Sequence, residues 1–173
     1  NLPINQKNKL KIDKFIKKTK SNEYSKIESF LKTELLIDAI CDQDIIAGFD
    51  HDWSNIEGTA DILCRPLNKE QCSTLLYICN NLLIPVTISA GKTNLTGSAT
   101  PMGGMIISIV RMNDINSVLV DTSKNTVSSS VGVYLEDMRN KVLEESNNKL
   151  FFPVDPTSRR EAMVGGTLSC NAS

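Results

Sequence analysis

Residues Pro85 to Gly104, Pro-Val-Thr-Ile-Ser-Ala-Gly-Lys-Thr-Asn-Leu-Thr-Gly-Ser-Ala-Thr-Pro-Met-Gly-Gly, leave this chain few folds to choose from. A short apolar run, Ile84 to Ile88, stops abruptly in small and hydroxylated residues, and a second apolar run, Met105 to Val110, follows. Runs of that length bounded by glycine and proline predict strand, tight loop, strand. Ala90, Gly91, Gly97, Ser98 and Ala99 keep the loop slim, so its backbone can approach a bulky partner. Thr93, Asn94, Thr96 and Ser98 add side-chain hydrogen-bonding groups. Consecutive exposed N–H groups in such a loop form a concave nest for an anion, and phosphate is the usual guest. A phosphorylated cofactor is expected here.

Two imitations fall away. Ala90-Gly91-Lys92-Thr93 after an apolar run looks like the end of a Walker A loop, but Val86 stands where that motif needs its first glycine. A helix must also follow Lys-Thr directly, and Gly97, Pro101, Gly103 and Gly104 forbid one. Asn94-Leu95-Thr96 and Asn171-Ala172-Ser173 are formal glycosylation acceptors. Without a visible signal peptide, chance accounts for both.

Composition excludes several classes. Nineteen basic and twenty acidic residues give a net charge of -1, so no global field favours nucleic acid. No apolar run approaches membrane-spanning length. Five cysteines (Cys41, Cys64, Cys72, Cys79 and Cys170) are never spaced Cys-x-x-Cys and are joined by one histidine, His51, which leaves no ligand set for a structural zinc. Reduced thiols in a cytoplasmic protein are the expectation.

Along the chain, residues 1–57 read as a helical extension and 58–173 as the domain that carries the chemistry. The extension opens with a lysine-rich amphipathic stretch containing Leu10, Ile12, Phe15 and Ile16, then a helix placing Ile27, Phe30, Leu31 and Leu35 on one face. Leu35 to Ile46 continues as helix or irregular chain. His51-Asp52-Trp53-Ser54 reads as a loop anchor or packed edge rather than a catalytic cluster. Ala60 to Cys64 predicts a strand, and Asn68 caps a helix with Cys72, Leu75, Leu76, Cys79, Leu82 and Leu83 at helical spacing. After the loop come a strand from Met105, a hairpin over 118–131, and a helix from Tyr134 to Ser146. An apolar strand, Leu150 to Val154, then enters a proline turn. Finally Gly165-Gly166 lets backbone approach a ligand, with Thr167, Ser169 and Asn171 beside it.

The ordered set of these features resembles the flavin-binding domain of the FAD-linked oxidases, the vanillyl-alcohol oxidase or p-cresol methylhydroxylase (PCMH) type. It is most similar to the D-lactate, glycolate and 2-hydroxyglutarate dehydrogenase branch. The carrying residues are Pro85-Val86 with Ala90 to Ser98, Arg111-Met112-Asn113, Phe152 to Ser158, Val164-Gly165-Gly166, and Cys170-Asn171-Ala172. The resemblance covers roughly residues 60–173. It implies an α+β fold of two small subdomains, incomplete at the C-terminus, in an N-terminal fragment of a longer enzyme.

The resemblance also implies roles. Ala90, Gly91, Lys92, Thr93 and Asn94 would wrap the FAD pyrophosphate, with Leu95, Gly97 and Ser98 completing the loop. Pro153, Asp155, Pro156 and Thr157 would line the dinucleotide nearer its ring end. Gly165, Gly166, Ser169 and Asn171 would close over the pyrophosphate from the other side. Ser89, Ala90 and Lys92 depart from the arginine and glycine pair usual in relatives. Thr93 stands where covalent relatives carry histidine, so FAD would be noncovalent. The expected function is oxidation of a 2-hydroxy acid such as D-lactate or glycolate by hydride transfer to FAD. The catalytic base would lie beyond residue 173, and the chain alone would be inactive. The electron acceptor stays open. The alternatives are a flavoenzyme like UDP-N-acetylenolpyruvoylglucosamine reductase and a non-catalytic binding or assembly module.

Overall fold

A computed structural model describes residues 3–172; Asn1, Leu2 and Ser173, at the ends of the two expected domains, lie outside it. The chain divides into two compact units. The first holds residues up to Ser89 and from Asn94 to Ser108; the second holds Ala90–Thr93 and everything from Ile109. The backbone therefore passes from one unit to the other three times, at 89/90, 93/94 and 108/109.

The first unit is built on a four-stranded sheet. Its strands are β1 (Asp38–Ile40), β2 (Ile62–Arg65), β3 (Val86–Ser89) and β4 (Met105–Ser108), in the spatial order β1-β2-β4-β3. β2 and β3 both run parallel to β4, in register Ile62↔Met105 and Val86↔Met105, whereas β1 is an antiparallel edge on β2. β4 is buried along its whole length, as expected for a strand with neighbours on both sides. Helix α4 (Lys69–Leu82) makes the crossover from β2 to β3. It starts where the Asn68 side chain accepts from the Gln71 N–H at 2.9 Å. It stops at Leu83, which turns into the left-handed region with φ 57°.

Helices α1 (Gln6–Ile16) and α2 (Tyr24–Glu34) share the core of this sheet. Ile12, Ile27 and Leu31 are fully buried in the cluster that holds Ile62, Leu75, Ile78, Met105 and Ile107. Each such side chain contributes about 1.5–3 kcal/mol through removal from water. The Phe15 and Phe30 rings stack 3.8 Å apart, and Tyr77 on α4 donates to Asp13 on α1 at 2.9 Å. The described residues before 58, expected as a helical extension, thus pack into the same core as the sheet. The stretch expected to be helical or irregular after Leu35 supplies β1 to the sheet, then the short helix α3 (Gln43–Ile46).

The second unit carries the hairpin β5 (Leu119–Asp121) and β6 (Thr126–Ser128), helix α5 (Leu135–Glu145) and the short helix α6 (Val164–Ser169). Val118, Val133, Leu135, Met138, Val142, Ala162 and Val164 form its core, with Leu150 and Phe152 against them. Leu150 to Val154 is not the strand expected. Pro153 withholds a ladder donor, and Phe151 stays 72% exposed. Gly165 and Gly166, expected in an open loop, begin α6 instead.

Candidate functional site

The segment Ala90–Thr93 and the segment Glu161–Gly166 meet backbone to backbone in the second unit. A Cβ on Gly91 would lie 2.1 Å from the Glu161 carbonyl oxygen and 3.2 Å from Ala162 Cα. A Cβ on Gly166 would lie 3.1 Å from the Ala90 Cβ. Glycine is required at Gly91 by this close approach and not by its φ, since no side chain of any kind fits between the two backbones. The two glycine-bearing segments that the sequence singles out are thus brought together, Gly91 against Glu161 and Ala90 against Gly166, while Gly165 packs on Val131.

The segment keeps its donors available. Among the described residues, the main-chain N–H groups of Ala90, Gly91 and Thr93 donate to no protein acceptor, and all three residues are half-buried. Half-buried backbone N–H groups need a partner, so a concave run of them suits an anionic ligand. Lys92, between them, adopts φ 57°, a left-handed conformation that bends the run into a cradle. On the facing segment, Val164 and Gly165 at the start of α6 give their N–H groups to the Val133 and Val131 carbonyls at 2.9 and 2.8 Å. Those two bonds hold a six-residue helix that its glycines would otherwise disfavour.

The remaining expected residues fall in three places. Asn94, Leu95, Gly97 and Ser98 belong to the first unit. There the Asn94 amide donates to Ser98 Oγ at 2.9 Å and to the Asp52 carboxylate, so its N–H₂ faces into its own turn. Leu95 is 71% exposed, and Gly97 has φ 73°. Pro153, Asp155 and Thr157 are exposed and Pro156 half-buried. Asp155 accepts from Arg139 at 2.6 Å and from Arg159 at 2.9 Å, and Arg159 also pairs with Glu136 at 2.9 Å. The Arg139 hydrogen bond, joined by the charges of both arginines, holds the Asp155 carboxyl below the usual carboxylate range. These side chains line a polar cleft of about 170 Å³ with Phe151, Phe152 and Leu143.

Ser169 and Asn171 sit at the other end of α6 from the glycines. Asn171, with φ 47°, ends the helix: its N–H donates to Leu168 O at 3.2 Å and the Ala172 N–H to Thr167 O at 3.0 Å. That is the paired 5→2 and 6→1 pattern of a left-handed C-terminal cap. The structure does not bring Asn171 beside Gly165.

His51-Asp52-Trp53-Ser54, expected as a loop anchor or packed edge, anchors a loop through Asp52, and two further features escaped the sequence reading. Asp52 is buried and accepts from the Ser54 N–H at 2.8 Å; the spacing of Asp and Ser two apart is the signal of an Asx turn. Burial pushes the Asp52 carboxyl up, yet hydrogen bonds from Ser54, Ala99 and Asn94 leave it below its ordinary value. Asp61 holds the Gly104 N–H at 2.7 Å, fixing the start of β4. Ser89 and Ser108, register partners at the carboxyl ends of β3 and β4, have buried hydroxyls with no hydrogen-bond partner among the described residues. Ligands of parallel sheets gather at such strand ends.

Fold and loops together define a flavin-binding α+β domain of the p-cresol methylhydroxylase type. Residues 60–173 match the FAD binding domain family; the chain belongs to it, and its cofactor is FAD. The chain is 33% identical over 132 residues to D-lactate dehydrogenase of Anaerostipes hadrus, covering 75% of this chain and 26% of that protein. It is 29% identical over 146 residues to mitochondrial D-2-hydroxyglutarate dehydrogenase of Danio rerio, covering 83% of this chain and 26% of that protein. Glycolate oxidase subunit GlcD of Bacillus subtilis is 30% identical over 113 residues, 65% of this chain and 23% of that protein. The chain spans about a quarter of the length of these relatives. Among solved structures, alkyldihydroxyacetonephosphate synthase is similar with a TM-score of 0.69 at 17% identity, covering 93% of this chain and 32% of that one. p-Cresol methylhydroxylase is similar with a TM-score of 0.66 at 16% identity, covering 98% and 30%. At these identities the likeness is one of fold.

The residues present fit the cofactor. A slim loop with unpartnered N–H groups, lying against Glu161 and Gly166, offers a dinucleotide's pyrophosphate what it needs: close backbone approach and several donors. A side chain at Gly91 or Gly166 would fill that approach.

Proposed function

We propose that this chain is the FAD-holding part of an oxidoreductase that oxidises a small 2-hydroxy acid such as D-lactate, glycolate or 2-hydroxyglutarate. The observation that carries the cofactor half is the contact of Gly91 with the Glu161 carbonyl, where a Cβ would come within 2.1 Å, beside N–H groups that have no acceptor. The names of the relatives support the substrate half: D-lactate dehydrogenase, D-2-hydroxyglutarate dehydrogenase and glycolate oxidase.

In this reading the N–H groups of Ala90, Gly91 and Thr93 bind the pyrophosphate. Lys92 adds positive charge nearby, and Gly165 and Gly166 admit the ligand's backbone-facing side. Asn94, Leu95, Gly97 and Ser98 continue the same loop covalently and complete it. Pro153, Asp155, Pro156 and Thr157, braced by Arg139 and Arg159, form the turn nearer the ring end. Ser169 and Asn171 contribute by ending α6 where it does. When bound, FAD supplies the hydride acceptor; the protein supplies binding and orientation. With Thr93 in place of a nucleophilic side chain, the cofactor is held noncovalently. A cytoplasmic location, inferred from unpaired thiols, belongs to the same proposal.

The experiment is spectroscopic. The protein carrying this chain, purified and denatured, is expected to release free FAD, and the native flavin band is expected to bleach anaerobically with D-lactate, glycolate or D-2-hydroxyglutarate. Bleaching by NADPH alone would replace this reading with a reductase. A colourless protein that takes up no added FAD would leave a binding or assembly role.

A further inference from the structure

The turn that follows Thr93 is held by a stretch of chain that precedes the matched family region. Asp52 lies before residue 60, where the match begins, and only 3% of its surface is exposed. One of its carboxylate oxygens accepts from the Ser54 N–H at 2.8 Å. The other accepts from the Ala99 N–H at 3.3 Å and from Asn94 Nδ2. Beside it, the Trp53 N–H donates to the Asn94 carbonyl at 3.1 Å, and Ile56 Cδ1 lies 2.8 Å from where a Gly97 Cβ would stand. The first and last residues of the turn, Asn94 and Ala99, are thereby tied to one carboxylate.

Among the described residues, the N–H groups from Asn94 to Ser98 donate to no protein acceptor. Within the turn the Thr100 N–H donates to Gly97 O at 3.0 Å, and the Asn94, Thr96 and Ser98 side chains bond one another at 2.9–3.4 Å. The hydrogen bonds that tie the turn to the rest of the chain come from Asp52 and Trp53. The chemistry of the anchor is specific. An ionised carboxylate accepts on both oxygens, so it can serve main-chain donors on both sides. An asparagine presents one acceptor and one donor. With its oxygen toward Ala99, its N–H₂ faces the Ser54 N–H; turned round, it faces the Ala99 N–H. Neither orientation satisfies both.

We propose that Asp52 is a positioning residue for cofactor binding: by fixing the Asn94–Ala99 turn it sets, through the Thr93–Asn94 peptide bond, the phosphate-binding backbone that precedes it. Asp52 itself touches no cofactor atom in this proposal, which rests on the reading of Ala90–Ser98 as the FAD loop. It follows that the chain before the matched region is part of the binding apparatus. A version trimmed to residue 60 would lose affinity even where it folds.

The test uses the deflavinated protein carrying this chain, titrated with FAD by flavin fluorescence, with the unfolding midpoint of each apo variant measured alongside. Asp52→Asn is expected to weaken FAD binding about 10-fold or more, and Asn94→Ala about 3–10-fold. The double variant is expected to bind FAD no more weakly than Asp52→Asn alone, because the second change acts through a contact the first has already broken. A merely structural role predicts multiplied losses that track the fall in unfolding midpoint, and that result overturns the proposal. Asp52→Asn at wild-type affinity also overturns it. Should Asp52→Asn not yield folded protein, Asn94→Ala decides alone: wild-type affinity there refutes the proposal. Gly91→Val separates the two levels. If Gly91→Val abolishes FAD binding while Asp52→Asn leaves it unchanged, the FAD loop stands and the role of Asp52 falls. If Gly91→Val retains FAD, the loop assignment itself is wrong, and the proposal built on it with it.

Discussion

Replacing Gly91 by alanine adds one methyl group at a place with no room for it. The new Cβ would sit 2.1 Å from the Glu161 carbonyl oxygen, 3.0 Å from its carbon and 3.2 Å from Ala162 Cα. A relaxed C···O contact is about 3.3–3.6 Å, so the two backbones must part by roughly 1.2 Å. The Glu161–Ala162 segment is not free to yield. The Glu161 and Ala162 N–H groups are both bonded to Ser158 O, at 2.9 and 2.8 Å, and Ala162 O accepts from the Leu135 N–H at 2.8 Å. Moving Ala162 by that distance breaks the last bond and strands a donor on a fully buried residue, which costs about 1–3 kcal/mol. Forcing the methyl into the packed contact costs about 1–3 kcal/mol more. Gly91→Ala should therefore destabilise the second unit by about 2–6 kcal/mol and remove bound FAD together with it. Urea denaturation and flavin content, measured on the same preparations, give both numbers. Gly48→Ala is the control: its nearest neighbour would be Ile45 O at 3.4 Å with no left-handed φ, so the change should stay within about 0.5 kcal/mol. A Gly91→Ala protein with wild-type midpoint and flavin content would refute the close-approach argument.

Three further outcomes are expected. Leu83 ends α4 at φ 57° with its side chain 85% exposed, so Leu83→Gly should relieve left-handed strain and raise stability by about 1 kcal/mol, or roughly 2–4 °C in the thermal midpoint; a lower midpoint would contradict this. Burial lifts the Cys64 thiol well above its ordinary value and the Cys79 thiol to about 12, and burial with a Glu28 contact lifts Cys41 to about 12. Iodoacetamide at pH 8 should thus label exposed Cys170 first, and peptide mapping that finds Cys64 or Cys79 modified in folded protein would count against the fold. Asp155 is held below its ordinary value of 3.8, chiefly by the Arg139 hydrogen bond, so its stabilising contribution is complete above that pH and disappears as pH falls through the lowered value. The unfolding midpoint of the wild type should then fall more steeply below pH 4 than that of Asp155→Asn, and parallel curves would show that the Arg139–Asp155 pair carries no linkage.

The loop was legible because small and hydroxylated residues between two apolar runs leave little but strand–loop–strand, and Asn68 with its apolar spacing announced α4. β1 was not, because three residues are too few to show a period and its partner β2 lies more than twenty positions away. α6 was hidden for a different reason. Two glycines argue against a helix, and the carbonyls of Val131 and Val133, supplied by tertiary structure, take the first N–H groups of its first turn. Leu150 to Val154 reversed the error: its composition suits a strand, but Pro153 within it and the lack of a partner among the described residues deny it a ladder. Asp52 could be read as a local turn former. That its second oxygen reaches Ala99, forty-seven residues later, was beyond any local pattern.

The second unit owns four residues, Ala90–Thr93, that are not contiguous with the rest of it in sequence. A single peptide-bond cleavage therefore cannot separate the two units, and the stretch from Ile109 onward cannot be transplanted as a self-sufficient cassette. Grafted into a related host, it would bring the Glu161 carbonyl but not the glycine that the carbonyl requires opposite it. Recombination libraries built on this family should accordingly keep Gly91 and Glu161 from the same parent. A crossover placed at 93/94 or 108/109 splits that parentage.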